Sequence, residues 1–312
     1  MRSTRSSGEM PVIDGSPPAT FSYDAAFSRH LGLLAPAEQG RLRGCRVAIA
    51  GLGGVGGIHL ATLARLGIGA FHIADPDRFN VVNINRQYGA TTLTLGRPKA
   101  EVMAEEVRAI NPEVRLRVFD EAITAANVGA FLDGVDVVIV GIDFYATEAR
   151  RLLFREARRR GHWAVTAGPI GFSAAWLTFD PAGMSFDRYF DLDDAMDPID
   201  QLIAFFVGLA PRATQLPYMD LKAADPRTGR GPSAALACHL CSGVAAAEVL
   251  KILLGRSPIR PAPWYSQFDA YRQRFCHGRL AWGNRHPLQR LKRRILRYRL
   301  RRMGWDRLGS PA

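Results

Sequence analysis

Cysteine is scarce in this chain, with four among 312 residues, at positions 45, 238, 241 and 276. They are too few and too unevenly spread for a disulfide framework, which agrees with a reducing compartment. Long apolar runs are missing as well. Gly, Pro or charge cuts every stretch well short of the roughly 18 apolar residues of a membrane-spanning helix. Residues 1–20 are rich in Ser, Gly and Pro and lack the apolar run of a secretory leader, so they read as a disordered tail. These absences together predict a cytoplasmic protein without a transmembrane segment. Acidic charge is short in one place: residues 285–312 hold ten Lys and Arg against the single Asp306, so +9 of the net +12 sits there. No internal repeat is present.

What remains is an ordinary globular composition, 47% apolar and 22% charged, enough for one large α/β domain or two small ones. After a helical lead-in over 26–42, the run Val47–Ala50 has the composition of a buried parallel strand. Helix and strand then alternate. Helices are expected at 58–66, 99–110, 126–132 and 146–160, and strands at 70–74, 114–119, 135–140 and 163–166. That alternation predicts an α/β fold with a doubly wound, mainly parallel, Rossmann-like sheet. A further strand is expected at 172–179, and 181–232 reads as a substrate-facing insertion. A helix over 233–254, stopped by Gly255 and Pro258, and a last strand at 265–268 complete the body.

Gly51, Gly53, Gly54 and Gly56 follow the first strand and open a helix, the context in which backbone amides approach a phosphate. By itself this fits NAD, FAD, S-adenosylmethionine or ATP, or a tight turn with no ligand. Asp75 ends the second strand, placed to accept ribose hydroxyls, although a turn or cap is its plain structural role. Downstream stand Arg86, Lys99 and Asp143. A triphosphate being split needs cations on its oxygens and a carboxylate for magnesium, whereas a nicotinamide site needs neither. Asp143 lies just past the fourth strand, so the sheet should bring it to the rim that carries the glycines and Asp75. Taken singly, each charge could be a surface ion pair; convergence in one cleft would mark a site.

At these residues the chain resembles the ThiF/MoeB/ubiquitin-activating superfamily, which adenylates the C-terminal glycine carboxylate of ubiquitin-like modifiers and sulfur carriers. Asp75, Arg86, Lys99 and Asp143 follow one another at 11, 13 and 44 residues, and Phe27–Leu31 resembles that family's N-terminal arginine motif. The resemblance implies ATP and Mg²⁺ as cofactors, with Mg²⁺ on Asp143. It also implies a homodimer in which Arg29 reaches the partner's ATP, and Asn83 and Gln87 flanking the phosphates. An adenylation domain is expected over 21–275, its nucleotide half at 44–168 and its substrate-facing half at 169–275, followed by a basic extension over 276–312.

The chain departs from the family pattern in its cysteines. Many relatives hold zinc with two Cys-x-x-Cys pairs; here Cys238 and Cys241 make one, and Cys276 stands alone near the second. Packing of the cysteines as small apolar residues is therefore favoured over a zinc site. Residues 171–237 contain no cysteine, which predicts adenylation without a loop-cysteine thioester. Residues 184–194 read equally as a specificity loop and a surface turn.

Two further readings stay open. The stretch Lys99–Glu105 resembles the branch that cyclises threonylcarbamoyladenosine on tRNA, and an NAD-dependent oxidoreductase would use the glycines and Asp75 alone. Residues 288–303 suggest a helix with an apolar stripe of Leu288, Leu291, Ile295, Leu296 and Tyr298, able to meet tRNA, an anionic membrane or another acidic partner, or no partner.

Overall fold

The computed structural model describes residues 20–223 and 231–304. The expected disordered tail and the end of the basic extension lie outside the described residues.

Five parallel strands form the first part of the sheet: β1 (Arg46–Ala50), β2 (Ala70–Ala74), β3 (Arg115–Phe119), β4 (Val137–Val140) and β5 (Trp163–Ile170). Three antiparallel strands extend it, β6 (Ser173–Phe179), β7 (Trp264–Asp269) and β8 (Arg274–Arg279), in the order β3-β2-β1-β4-β5-β6-β7-β8. The helices are α1 (Tyr23–Ala26), α2 (Pro36–Gly44), α3 (Gly56–Arg65), α4 (Lys99–Ile110), α5 (Val128–Phe131), α6 (Thr147–Arg159), α7 (Phe186–Phe190), α8 (Pro198–Leu209), α9 (Ala235–Leu254) and α10 (Pro287–Arg302).

The apolar run of β1 is buried on both faces because helices cover both. Val47 and Ile49 join the core under α3, α4 and α9, while Ala48 and Ala50 join the opposite core under α6 and α8. β1 pairs with β2 on one side and β4 on the other, so the winding reverses between β1 and β4. In such sheets a ligand crevice opens beyond the carboxyl ends at that reversal.

Three sequence expectations need correction. The lead-in is two helices with a break between them, where Gly32 has φ +99° and Pro36 restarts the helix. β8 was not expected; it is an edge strand with charged ends and an exposed Phe275, so it shows neither strict alternation nor an apolar run. It runs across the point where the basic extension was expected to begin.

Residues 184–194 are neither a specificity loop nor a surface turn. Phe186, Tyr189 and Phe190 are buried, Asp187 pairs with Arg151 at 3.0 Å and Arg155 at 2.6 Å, and Asp191 pairs with Arg285 at 3.0 Å and Arg293 at 2.8 Å. The segment ties α6 to α10. α9, with 20 residues, is long and apolar enough by length and composition to cross a membrane, although Glu248 and Lys251 interrupt its apolar run as the sequence reading has it. It packs instead against α3, β5 and β6.

One core residue makes stability pH-dependent. His59 on α3 is 1% exposed, neither ring nitrogen has a partner among the described residues, and burial pushes its pKa down to about 3. The folded state therefore refuses a proton that the unfolded chain takes up near pH 6.5, so stability is intact above that pH and falls on acidification towards pH 3. Between pH 6.5 and 4 the wild type should lose about 3 kcal/mol more than His59→Leu in urea unfolding. Parallel pH curves for the two proteins would show that the imidazole finds a proton partner.

Candidate active site

A cavity of about 490 Å³ opens at the β1–β4 reversal. Gly51, Gly53, Gly54, Asp75, Arg86, Gln87, Lys99 and Asp143 all line it.

The glycines serve two purposes. Gly51 has φ +83°, and a Cβ there would stand 2.4 Å from the Gly141 carbonyl oxygen; a Cβ on Gly56 would stand 1.6 Å from the Gly51 oxygen. Chain packing alone excludes side chains at these two positions. Gly53 and Gly54 differ. The nearest atoms to a Cβ there are the Gln87 amide nitrogen and the Cys238 sulfur, each at 3.5 Å, an ordinary contact. Protein packing leaves these two positions open on the cavity side, at the N-terminus of α3, where a phosphate would sit against bare backbone.

Asp75 is 5% exposed and bridges the second strand to the glycine turn, accepting from the Leu52 amide at 2.6 Å and the Asp77 amide at 2.9 Å. Burial raises its pKa, against the opposing pull of Lys99 and of those two amides. Lys99 opens α4, is itself 5% exposed, and donates from Nζ to Asp77 at 2.8 Å. Arg86 donates to the Val82 carbonyl at 2.8 Å and to Asn85 at 3.0 Å. Gln87 is buried, with its carboxamide oxygen lacking a partner among the described residues. A buried polar atom of this kind at a cavity wall is one that a ligand can satisfy.

Asp143 is exposed, and one of its carboxylate oxygens accepts from the Tyr145 amide at 2.9 Å. Its loop hangs on Arg150, a residue that sequence reasoning missed. The Arg150 guanidinium, 2% exposed, donates to the carbonyls of Ile142 at 2.9 Å, Asp143 at 2.5 Å and Phe144 at 3.2 Å. It also lies 4.2 Å over the Phe205 ring. Burial lowers its pKa to about 10, so it stays charged at neutral pH. Its place on the inward face of α6, seven residues after Asp143, is the only signal the sequence offered. Arg150→Met should cost about 1–3 kcal/mol for each carbonyl left unpaired. A thermal midpoint equal to wild type would show that the loop does not depend on it.

Three expected site residues do not line the cavity: Gly56, which packs against the Gly51 carbonyl, Asn83 and Arg29. Asn83 spends its side-chain oxygen on the Asn80 amide at 2.9 Å, as a cap on the turn Val81–Asn83, and does not line the wall. Arg29 is exposed on the turn Ser28–His30 and does not reach the cavity of its own chain. Sequence reasoning also missed Asp77, the partner of Lys99, and the apolar wall supplied by α8 and α10. All four cysteines are buried, Cys238 and Cys241 in the core beneath α9 and Cys276 on β8. Among the described residues no group of three His, Cys, Asp or Glu could hold a metal ion.

The chain is 36% identical over 151 residues to tRNA threonylcarbamoyladenosine dehydratase of Haemophilus influenzae, covering 48% of this chain and 57% of that protein. It is 28% identical over 253 residues to the probable adenylyltransferase/sulfurtransferase MoeZ of Mycobacterium tuberculosis, covering 78% and 57%. The chain thus spans about half the length of the curated relatives it matches. Among solved structures, the Escherichia coli tRNA threonylcarbamoyladenosine dehydratase in complex with ATP superposes with a TM-score of 0.55 at 25% identity, over 74% of this chain and 95% of that one. The ThiF family pattern matches residues 27–290, and with the glycine turn, Asp75, Lys99 and Asp143 gathered at the sheet reversal, the chain belongs to the ThiF family.

Proposed function

We propose that the protein is an ATP-dependent adenylyltransferase that converts a carboxylate to its acyl-adenylate with release of pyrophosphate. The observation that carries this reading is the joint lining of one cavity by Gly53, Gly54, Asp75, Arg86, Gln87, Lys99 and Asp143. Bare backbone at Gly53 and Gly54 and the unpaired Gln87 oxygen suit a bound nucleotide, and Asp75 suits its ribose. Mg²⁺ fits a site with one exposed carboxylate, Asp143, because this ion keeps several waters and takes its other ligands from phosphates. When bound it neutralises phosphate charge.

A substrate carboxylate oxygen forms a bond to the α-phosphorus as the bond from that phosphorus to the bridging oxygen breaks, and pyrophosphate leaves with the electron pair. The carboxylate enters deprotonated, so no proton need move. Lys99 and Arg86 spread the developing charge, and the protein contributes position and electrostatics. All four thiols are buried, which supports adenylation without a thioester on the enzyme. A nicotinamide reading leaves Arg86, Lys99 and Asp143 without work.

The carboxylate is the C-terminus of a ubiquitin-like or sulfur-carrier protein in the first reading. Threonylcarbamoyladenosine on tRNA is the second, favoured by the identity to the dehydratases and by α10, where Arg290, Arg294, Arg299, Arg301 and Arg302 are exposed without an ion pair among the described residues. The family resemblance adds a homodimer, with Arg29 completing the partner's site, and ATP supply places the enzyme in the cytoplasm. ATP–pyrophosphate exchange tests the reading, with a Gly-Gly-ending carrier and modified tRNA as separate additions. Binding of NADH in preference to Mg-ATP would overturn it.

A further inference from the structure

The cavity does not end at the nucleotide groups. Beyond the Asp143 loop its wall is made by Leu202, Ile203 and Phe206 of α8, Met219, and Leu296 and Leu300 of α10. None of these side chains carries a charge or a hydrogen-bonding group. Arg150, which lies over the Phe205 ring of α8, is occupied by the three loop carbonyls.

α10 is the unexpected part of that wall. Of the apolar stripe foreseen from the sequence, Leu288, Leu291, Ile295 and Tyr298 face solvent, and only Leu296 turns inward. The helix docks through Leu296, Leu300 and Met303 against Ile199, Ile203 and Val207 of α8. Polar contacts hold it there: Gln289 donates to the Val207 carbonyl at 3.1 Å, Lys292 to the Pro211 carbonyl at 2.7 Å, and Arg293 pairs with Asp191 at 2.8 Å. Arg297 lies 3.5 Å from Asp197 and 3.4 Å from Asp200. α10 is therefore a fixed wall, and most of it lies past residue 290, where the family match stops.

We propose that this compartment holds an apolar group on the substrate, and that the carboxylate adenylated here belongs to an acid with a bulky aliphatic or aromatic body. The proposal rests on the adenylation reading and sets an apolar acid in place of the Gly-ended carrier and the modified tRNA as the carboxylate. A strip of buried apolar surface joined to a phosphate site gains free energy from an apolar body and none from a glycine tail, which would leave it unfilled. Leu296 and Leu300 are then specificity-determining residues supplied from outside the family core. The same chemistry is offered by a free fatty or arylalkyl acid and by a peptide whose last residue is apolar.

Calorimetry on the full chain, preloaded with Mg²⁺ and α,β-methylene-ATP, tests this with acetate, hexanoate, octanoate, 3-phenylpropionate, a pentapeptide ending in Leu and one ending in Gly-Gly. Affinity should rise about four-fold per methylene until the compartment is full. Phe206→Ala should move the optimum to longer chains and Leu296→Phe to shorter ones, opposite shifts that general damage cannot produce. Should either variant fail to fold, the wild-type series still decides. A tighter free acid or a tighter Leu-ended peptide identifies the source, and either supports the class. Flat affinity along the series, or tightest binding by the Gly-Gly peptide, overturns the compartment's assignment. Failure of the ATP analogue itself to bind overturns the adenylation reading first.

Discussion

Lys99→Met is expected to lower ATP–pyrophosphate exchange by about 10²–10³-fold, the scale for removing one preorganised donor from developing oxyanion charge. The fold should lose little, the main loss being the pull of Lys99 on the buried Asp75 carboxylate. The lysine side chain is 6% exposed, and methionine fills nearly the same volume without needing a partner. Its partner Asp77 is 66% exposed, so the freed carboxylate is hydrated where it stands. The two readouts, exchange rate and thermal midpoint, must therefore separate. A variant that keeps more than about a tenth of the exchange would remove Lys99 from the charge-stabilising set.

The glycine turn yields the second large effect, through a contrast between neighbours. Gly54→Ala places a methyl 3.5 Å from the Cys238 sulfur, at a backbone angle open to any residue, so the chain should fold normally. Gly54 lines the cavity just before α3, so an added methyl there should weaken Mg-ATP binding by about 1–3 kcal/mol. Gly56→Ala places its methyl 1.6 Å from the Gly51 carbonyl oxygen, which forces the turn off the strand. A loss of more than about 4 kcal/mol of stability is expected there. Urea unfolding and nucleotide calorimetry on both proteins check the pair. Equal nucleotide affinity in Gly54→Ala and wild type would mean that no phosphate approaches this backbone.

Much of the parallel half of the fold was legible because its signals are local. β1, β2 and α4 appear within a residue of their expected limits, each marked by an apolar run or by helical periodicity with a recognisable start. β8 and α7 were not legible. β8 is held by the β7 ladder more than by its own composition, and α7 looks acidic in sequence while its Phe186, Tyr189 and Phe190 fill the second core. Acids of this segment are ion-pair partners for arginines on α6 and α10, contacts between residues up to 102 positions apart.

The site divides in the same way. The glycines, Asp75 and Asp143 follow strands whose positions the chain itself announces, whereas Arg86 and Lys99, in the connection from β2 to α4, were placed by the needs of a triphosphate and by resemblance. Asn83 was placed with them by resemblance, yet a cap three residues back takes its oxygen. Arg150 was overlooked because an arginine on a charged helix carries no mark of being buried until the loop folds over it.

The sequence by itself determined a Rossmann-like sheet, its glycine turn and the order of the charged groups that line the cavity, since apolar period and residue type are written locally. Only the tertiary structure decided that Gly53 and Gly54 are open where Gly51 and Gly56 are closed, and that Arg150 holds the Asp143 loop. It also decided that the basic C-terminal helix is a wall of the cavity. Those three facts depend on which distant surfaces meet, and a helix with two apolar sides does not state which of them will be covered.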